Sequence, residues 1–145
     1  MKLERIVIGV DGSANSATAL AWATGFAAEV GAEIVAVHAL GLLERFEHDV
    51  PVPAEPHRDE ITRRFEDLWC APLERSGVRS RRLVRDGPPV PVLLALAEEE
   101  DADVIVVGSR GVGEHPELLL GSTSTQVAQH AARPVIIIPA AAAQR

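Results

Sequence analysis

The stretch Asp103–Ser124, DVIVVGSRGVGEHPELLLGSTS, decides the fold. Val104 to Val107 is a continuous apolar run, the pattern of a strand buried on both faces of a parallel sheet. It ends on Gly108. Gly111 follows after two residues, and Gly121-Ser122 after nine more. Glycine lets the backbone take positive φ and approach a ligand closely. Successive backbone N–H groups in such a turn form a nest for anions, and a helix N-terminus adds partial positive charge. Ser122, Thr123, Ser124 and Thr125 put hydroxyl donors at the start of the following helix. Strand, glycine loop and hydroxyl-rich helix start together form the pattern of a phosphate cradle.

The same alternation extends outward in both directions. Arg5 to Val10 reads as a strand ending in Asp11-Gly12-Ser13, with Asp11 or Ser13 as the cap of a helix over Ala14 to Val30 that Gly31 stops. Ala32 to Ala39 is a second strand. Gly41 to Pro56, interrupted by Pro51, Pro53 and Pro56, reads as a loop. Glu60 to Ser76 is amphipathic through Ile61, Phe65, Leu68, Trp69 and Leu73, with a kink or early stop expected at Pro72. Val78 to Val84 is a third strand and Val90 to Asp101 a helix, with Pro91 in its first turn. Gly121 to Ala132 is the last helix, and Pro134 to Pro139 a fifth strand after the one at Asp103 to Val107. Strands alternating with helices predict one α/β domain over residues 1–145, core 3–139, with a frayed tail at 140–145. Its sheet is parallel with helices on both faces, and ligands bind beyond the carboxyl ends of the strands.

Composition narrows the function. The chain has 145 residues, 47% hydrophobic but only 3% aromatic, so Val, Ile, Leu and Ala build the core. A net charge of −7 argues against nonspecific nucleic-acid binding. Lys2 is the only lysine, which excludes a lysine-bearing P-loop and leaves amides, hydroxyls or Arg110 to hold a phosphate. Cys70 is the only cysteine, so an internal disulfide and a cysteine zinc site are excluded. No apolar stretch approaches membrane-helix length, and the expected location is cytoplasmic.

VIGVDGS near the start, IVAVHA, DADVIVVGSRG, the spacing Gly108-x2-Gly111-x9-Gly121-Ser122 and HAARPVIIIP at the end resemble the universal stress protein family, in its ATP-binding subgroup. The resemblance runs from about Leu3 to Pro139. It implies a doubly wound, Rossmann-like sheet of strand order 3-2-1-4-5, of the adenine nucleotide alpha hydrolase-like type, usually dimeric. It also implies site residues. Gly9, Val10 and Asp11 would meet ribose and adenine, and Ala39 would lie on the adenine. Val107, Gly108, Ser109, Arg110 and Gly111 would wrap the ribose and phosphates. Gly121, Ser122, Thr123 and Ser124 would bind the phosphates. The implied ligand is ATP, with Mg2+ or Mn2+ held through its phosphates rather than by protein ligands. Glu114 and Glu117 in the glycine loop repel a polyphosphate unless a metal intervenes or their side chains point outward.

Other residues read more plainly. His38, at a strand end, is expected to be packed or hydrogen-bonded, His115 to be a surface group and His130 structural. Trp22 and Trp69 suggest helix-face packing, and Cys70 a buried thiol. Arg79, Arg81, Arg82 and Arg85 have no aromatic partners for base stacking, so they are expected to protect an edge strand. Glu98 to Asp101 reads as a solvated helix end. The apolar strand Val135, Ile136, Ile137 and Ile138 predicts a homodimer edge. The expected function is regulatory ATP binding without a catalytic residue. The alternatives are an AMP or cyclic AMP binder, a slow ATPase or autophosphorylating protein, and a structural dimer with an empty site.

Overall fold

The computed structural model describes residues 1–41, 44–47, 50–53, 55–110 and 120–141. β1 (Arg5–Gly9), β2 (Glu33–Ala39), β5 (Ser80–Arg85), β6 (Val104–Gly108) and β7 (Val135–Ile138) form one sheet in the order β5-β2-β1-β6-β7. All four pairings are parallel. Counting only sheet strands, this is the expected order 3-2-1-4-5. The chain leaves β1 toward β2 on one side and later returns through β6 on the other. The carboxyl ends of β1 and β6 therefore flank the crevice where an open α/β sheet takes a ligand.

Period-two alternation sorts the core into two layers. Ile6, Ile8, Ile34, Ala36, Val104 and Val106 are buried on the face covered by α1 (Ala14–Val30). Phe65, Cys70 and Leu73 lie in the same layer. Val7, Val35, Val37, Ile105 and Val107 face α4 (Pro89–Glu99) and α5 (Ser122–His130), meeting Leu93, Leu96 and Val127. The buried stripe of α1 is Ala19, Leu20, Ala23 and Ala27. Small side chains let this helix lie close to the sheet. Trp22 does not fit beneath it: it is 39% exposed and stacks on Phe26 at 5.0 Å.

The segment between β2 and β5 departs from expectation. The loop expected over Gly41 to Pro56 contains an antiparallel hairpin, β3 (Glu44–Glu47) with β4 (Val50–Pro53). Prolines read as strand breakers. Pro51 and Pro53 are two apart, however, so both fall on one alternation of a two-stranded ribbon, where the missing N–H points outward. Helix α2 (Glu55–Arg64) starts earlier than Glu60, with Pro56 in its first turn. A π-helical segment, Phe65–Trp69, then leads into α3 (Ala71–Arg75), with Pro72 in the first turn. The interruption thus comes one step ahead of the proline. It turns Leu68 outward to 62% exposure, against the expected packing.

Charges interlock around the C-terminal end of α4. The acidic run is exposed as expected at Glu98, Glu99 and Asp101, and it is also paired: Glu98 and Asp101 with Arg133 at 3.1 and 3.2 Å, Glu99 with Arg85 at 3.0 Å, and the more covered Glu100 with Arg81. Arg81 also reaches Glu33 at 3.0 Å. Arg81, Arg82 and Arg85 lie on β5, an edge strand, and Arg79 just precedes it. Asp103 accepts from the backbone N–H groups of Glu4 (2.8 Å) and Arg5 (3.0 Å), which holds its carboxyl below the ordinary range.

Candidate functional site

A cleft of about 630 Å³ opens at the carboxyl ends of β1, β2 and β6. Of the residues expected from the sequence, Gly9, Val10, Asp11, Ala39, Val107, Gly108, Ser109, Arg110, Gly121, Thr123 and Ser124 line it. Ser122 is exposed at the helix start and does not. Gly111, with Glu114, His115, Pro116 and Glu117, lies outside the described residues. Sequence reasoning did not place Ser16, Val37, His38, Pro89 and Leu93 at the site, yet all five line the cleft.

The cleft has two unlike ends. Toward β2 and the start of α4, the wall is Val37, Ala39, Pro89 and Leu93. Leu93 packs so tightly on β1 that a Cβ at Gly9 would stand 3.2 Å from both its methyl carbons. The start of α4 is also poor in donors, because Pro89 and Pro91 lack N–H and the Val92 N–H is bonded to the Pro88 carbonyl. Toward α5 the wall is Ser109, Arg110, Gly121, Thr123 and Ser124, with Asp11 and Ser16 from the β1–α1 connection.

That connection is a closed set of caps. Asp11 Oδ1 accepts from Ser13 N–H (2.9 Å) and from the Ser13 hydroxyl (2.6 Å). Ser13 Oγ in turn accepts from Ser16 N–H, and Ser16 Oγ from Asp11 N–H, both at 3.1 Å. Ser13 is therefore the cap, and Asp11 orients it. His38 donates from Nδ1 to the Val10 carbonyl at 2.7 Å, tying the end of β2 to the residue after β1. This agrees with the hydrogen-bonded role expected for it.

The start of the glycine loop is held by Asn15, which is buried in the first turn of α1. Its Oδ1 accepts from the Ser109 hydroxyl (3.0 Å) and the Arg110 N–H (2.8 Å), and its Nδ2 donates to the Ile138 carbonyl (3.1 Å). A Cβ on Gly108 would stand 3.1 Å from Asn15 Cγ, so any larger residue there would press on this carboxamide seat. Ser109 N–H donates to the same Ile138 carbonyl at 2.9 Å, and Gly121 N–H to the Ser109 carbonyl at 2.6 Å. The amides of Ser109, Arg110 and Gly121 are thus already engaged, by Ile138, Asn15 and Ser109. Ser124 Oγ likewise bonds to the Ser109 and Gly121 carbonyls at 3.0 and 3.1 Å. What α5 presents to the cleft is its first-turn amides at Thr123 and Ser124, which have no intrahelical acceptor, and the Thr123 side chain. Arg110 supplies the one guanidinium among the described lining residues.

Among the described residues, no group of three or more His, Cys, Asp or Glu comes close enough to hold a metal. Nor is any helix among them long and apolar enough to cross a membrane.

The family model for the universal stress protein family matches residues 2–139. A universal stress protein of Bacillus subtilis is 32% identical over 92% of this chain and 97% of its own. One from Thermus aquaticus is 34% identical, covering 92% of this chain and 96% of its own. A solved universal stress protein in complex with cAMP superposes with a TM-score of 0.75 at 26% identity, covering 97% of this chain and 99% of that one. The sheet order, the cleft at its carboxyl edge and these likenesses agree: the chain belongs to the universal stress protein family.

Proposed function

We propose that the chain is a regulatory adenine-nucleotide binder that takes ATP, with Mg2+ or Mn2+ held through the phosphates. The observation that carries the reading is the contrast between the two helix starts at the cleft. Prolines strip α4 of donors where the wall is apolar, whereas α5 offers amides and a hydroxyl where the wall is polar. An amphiphilic ligand with a flat apolar head and an anionic tail fits that contrast in one direction only. The base goes against Val37, Ala39, Pro89 and Leu93, and the phosphates go to Thr123, Ser124 and Arg110. Asp11 and His38, the lining carboxylate and imidazole, both hold local backbone or side-chain structure. That favours binding over turnover.

A second reading, AMP or cyclic AMP, is favoured by a specific observation. The amides of Ser109, Arg110 and Gly121 are already engaged by Ile138, Asn15 and Ser109, so the described donors suit one phosphate better than three. The cAMP complex of a relative points the same way. Titration calorimetry with ATP, AMP and cyclic AMP, each with and without Mg2+ and Mn2+, separates the readings. Metal-dependent ATP binding supports the first, and metal-independent cyclic AMP binding the second. Absence of binding by all three rejects both.

The partner reading is a homodimer through β7. The carbonyls of Pro134 and Ile138 point toward β6, so Ile137, on the opposite alternation, directs its N–H to the open edge. The variant Ile137→Pro removes that donor without touching the β6 ladder and should give a monomer by sedimentation. A dimer that persists would exclude edge pairing.

A further inference from the structure

We propose that Trp69 is a positioning residue that clamps the β1–α1 connection into the shape of the cleft wall, and that the π-helical turn before it exists to present its indole. The proposal rests on the nucleotide-binding reading only for its ligand readout. Cys70 N–H bonds to the Phe65 carbonyl, five residues back, at 3.0 Å. This wider turn inserts a residue, so Phe65, Trp69 and Cys70 all face inward while Leu68 is turned to solvent. In a regular helix Phe65, Trp69, Leu73 and Cys70 would spread over an arc of about 140°; the wider turn helps to gather them on the core face.

The indole then meets the connection at two points. It lies on Gly12, where an added Cβ would stand 2.5 Å from Cζ2 and 2.7 Å from Cε2. Gly12 also has φ +81°, so glycine is required there both for its backbone conformation and for the approach of the ring. Trp69 also meets His38 edge-on, with centroids 5.1 Å apart and planes at 73°. His38 donates to the Val10 carbonyl, and Phe65 backs both rings, 6.0 Å from His38 and 6.4 Å from Trp69. One side chain thus bears on Gly12 directly and on Val10 through His38, with Asp11 between them. Val10, Asp11 and His38 line the cleft and Trp69 does not. Its effect on a ligand is therefore exerted through the wall.

The test begins with Trp22→Phe, which leaves Trp69 as the only tryptophan. Titration with ATP and with cyclic AMP should change its emission along the curve that calorimetry gives. Trp69→Leu should weaken affinity about tenfold. It should also speed hydrogen exchange at residues 11–13 by tenfold or more, leaving the β6 and β7 amides unchanged. Exchange that rises everywhere, or nowhere, would show a merely structural tryptophan and overturn the proposal. So would affinity that survives Trp69→Leu in a protein that binds. If the parent binds neither nucleotide but exchange rises selectively at residues 11–13, the nucleotide reading fails and the clamp stands. The combined Gly12→Ala and Trp69→Leu variant should be no worse than Gly12→Ala alone, because the clash is relieved; losses that multiply would contradict the contact.

Discussion

Truncating Asn15 to alanine is the sharpest test of how the site is held. The carboxamide makes three hydrogen bonds, to Ser109 Oγ, Arg110 N and the Ile138 carbonyl. The Ile138 carbonyl keeps the Ser109 N–H at 2.9 Å, so it is not orphaned. The Arg110 N–H and the Ser109 hydroxyl lose their acceptor at a site where Asn15 is only 8% exposed. With about 1–2 kcal/mol for each stranded donor, the expected loss is about 2–4 kcal/mol. At roughly 3 °C per kcal/mol for a chain of this size, the melting midpoint should fall by about 6–12 °C. Urea unfolding measured in parallel should show a lower midpoint with an unchanged slope. Nucleotide affinity should drop as well, since Ser109 and Arg110 are no longer held at the cleft. A loss under about 1 kcal/mol would refute the reasoning, because it would mean that water replaces the carboxamide at no cost and the loop shapes itself.

Gly108→Ala should show the same defect from the other side. Its Cβ would press on Asn15 Cγ at 3.1 Å and the Arg110 carbonyl at 3.3 Å, costing about 1–3 kcal/mol in urea. Asp103 gives a pH prediction. Its pKa is lowered in the folded protein by the Glu4 and Arg5 amides, so its stabilisation is complete above the unfolded value of about 4 and is lost as pH falls through the folded one. Asp103→Asn should flatten the acid limb of stability against pH, and an unchanged limb would assign it to other carboxylates. Burial pushes the Cys70 thiol up to about 11. The native protein should therefore react slowly with a thiol reagent at pH 8 and rapidly in urea, whereas equal rates would contradict the burial. Arg81→Ala, at an exposed network, should change stability by no more than about 1 kcal/mol, less so in high salt.

Much of this was legible without coordinates, and the exceptions have identifiable causes. Val104 to Val107 announced a buried strand because both of its faces are covered, and the glycines at 31 and 108 marked element ends through local backbone chemistry. Ala39, Asp11, Ser109 and Thr123 are assigned to one site by the family resemblance, and they meet because a parallel sheet sends all its carboxyl ends to the same edge. The hairpin at Glu44–Glu47 and Val50–Pro53 was hidden by its prolines, whose meaning depends on which way an N–H points in a pairing not yet formed. The π turn was hidden because Phe65, Leu68 and Trp69 fit a regular helical stripe; only packing against Gly12 and His38 selects the wider turn. Leu93 reads as an ordinary helix residue and Pro89 as part of the preceding turn until α4 crosses the sheet beside β1 and β2.

The amino-acid order by itself determined the succession of the five sheet strands, the parallel sheet and the edge where a ligand would enter. Those follow from periodicity, apolar runs and glycine, which act within a few residues. Tertiary structure alone decided what holds the cleft in shape. Asn15 and Ser109 are 94 residues apart, and Asn15 and Ile138 are 123 apart, so no local pattern marks them as partners. They meet because β1, β6 and β7 end side by side beneath the first turn of α1. A buried carboxamide must then satisfy every polar group that this convergence brings together.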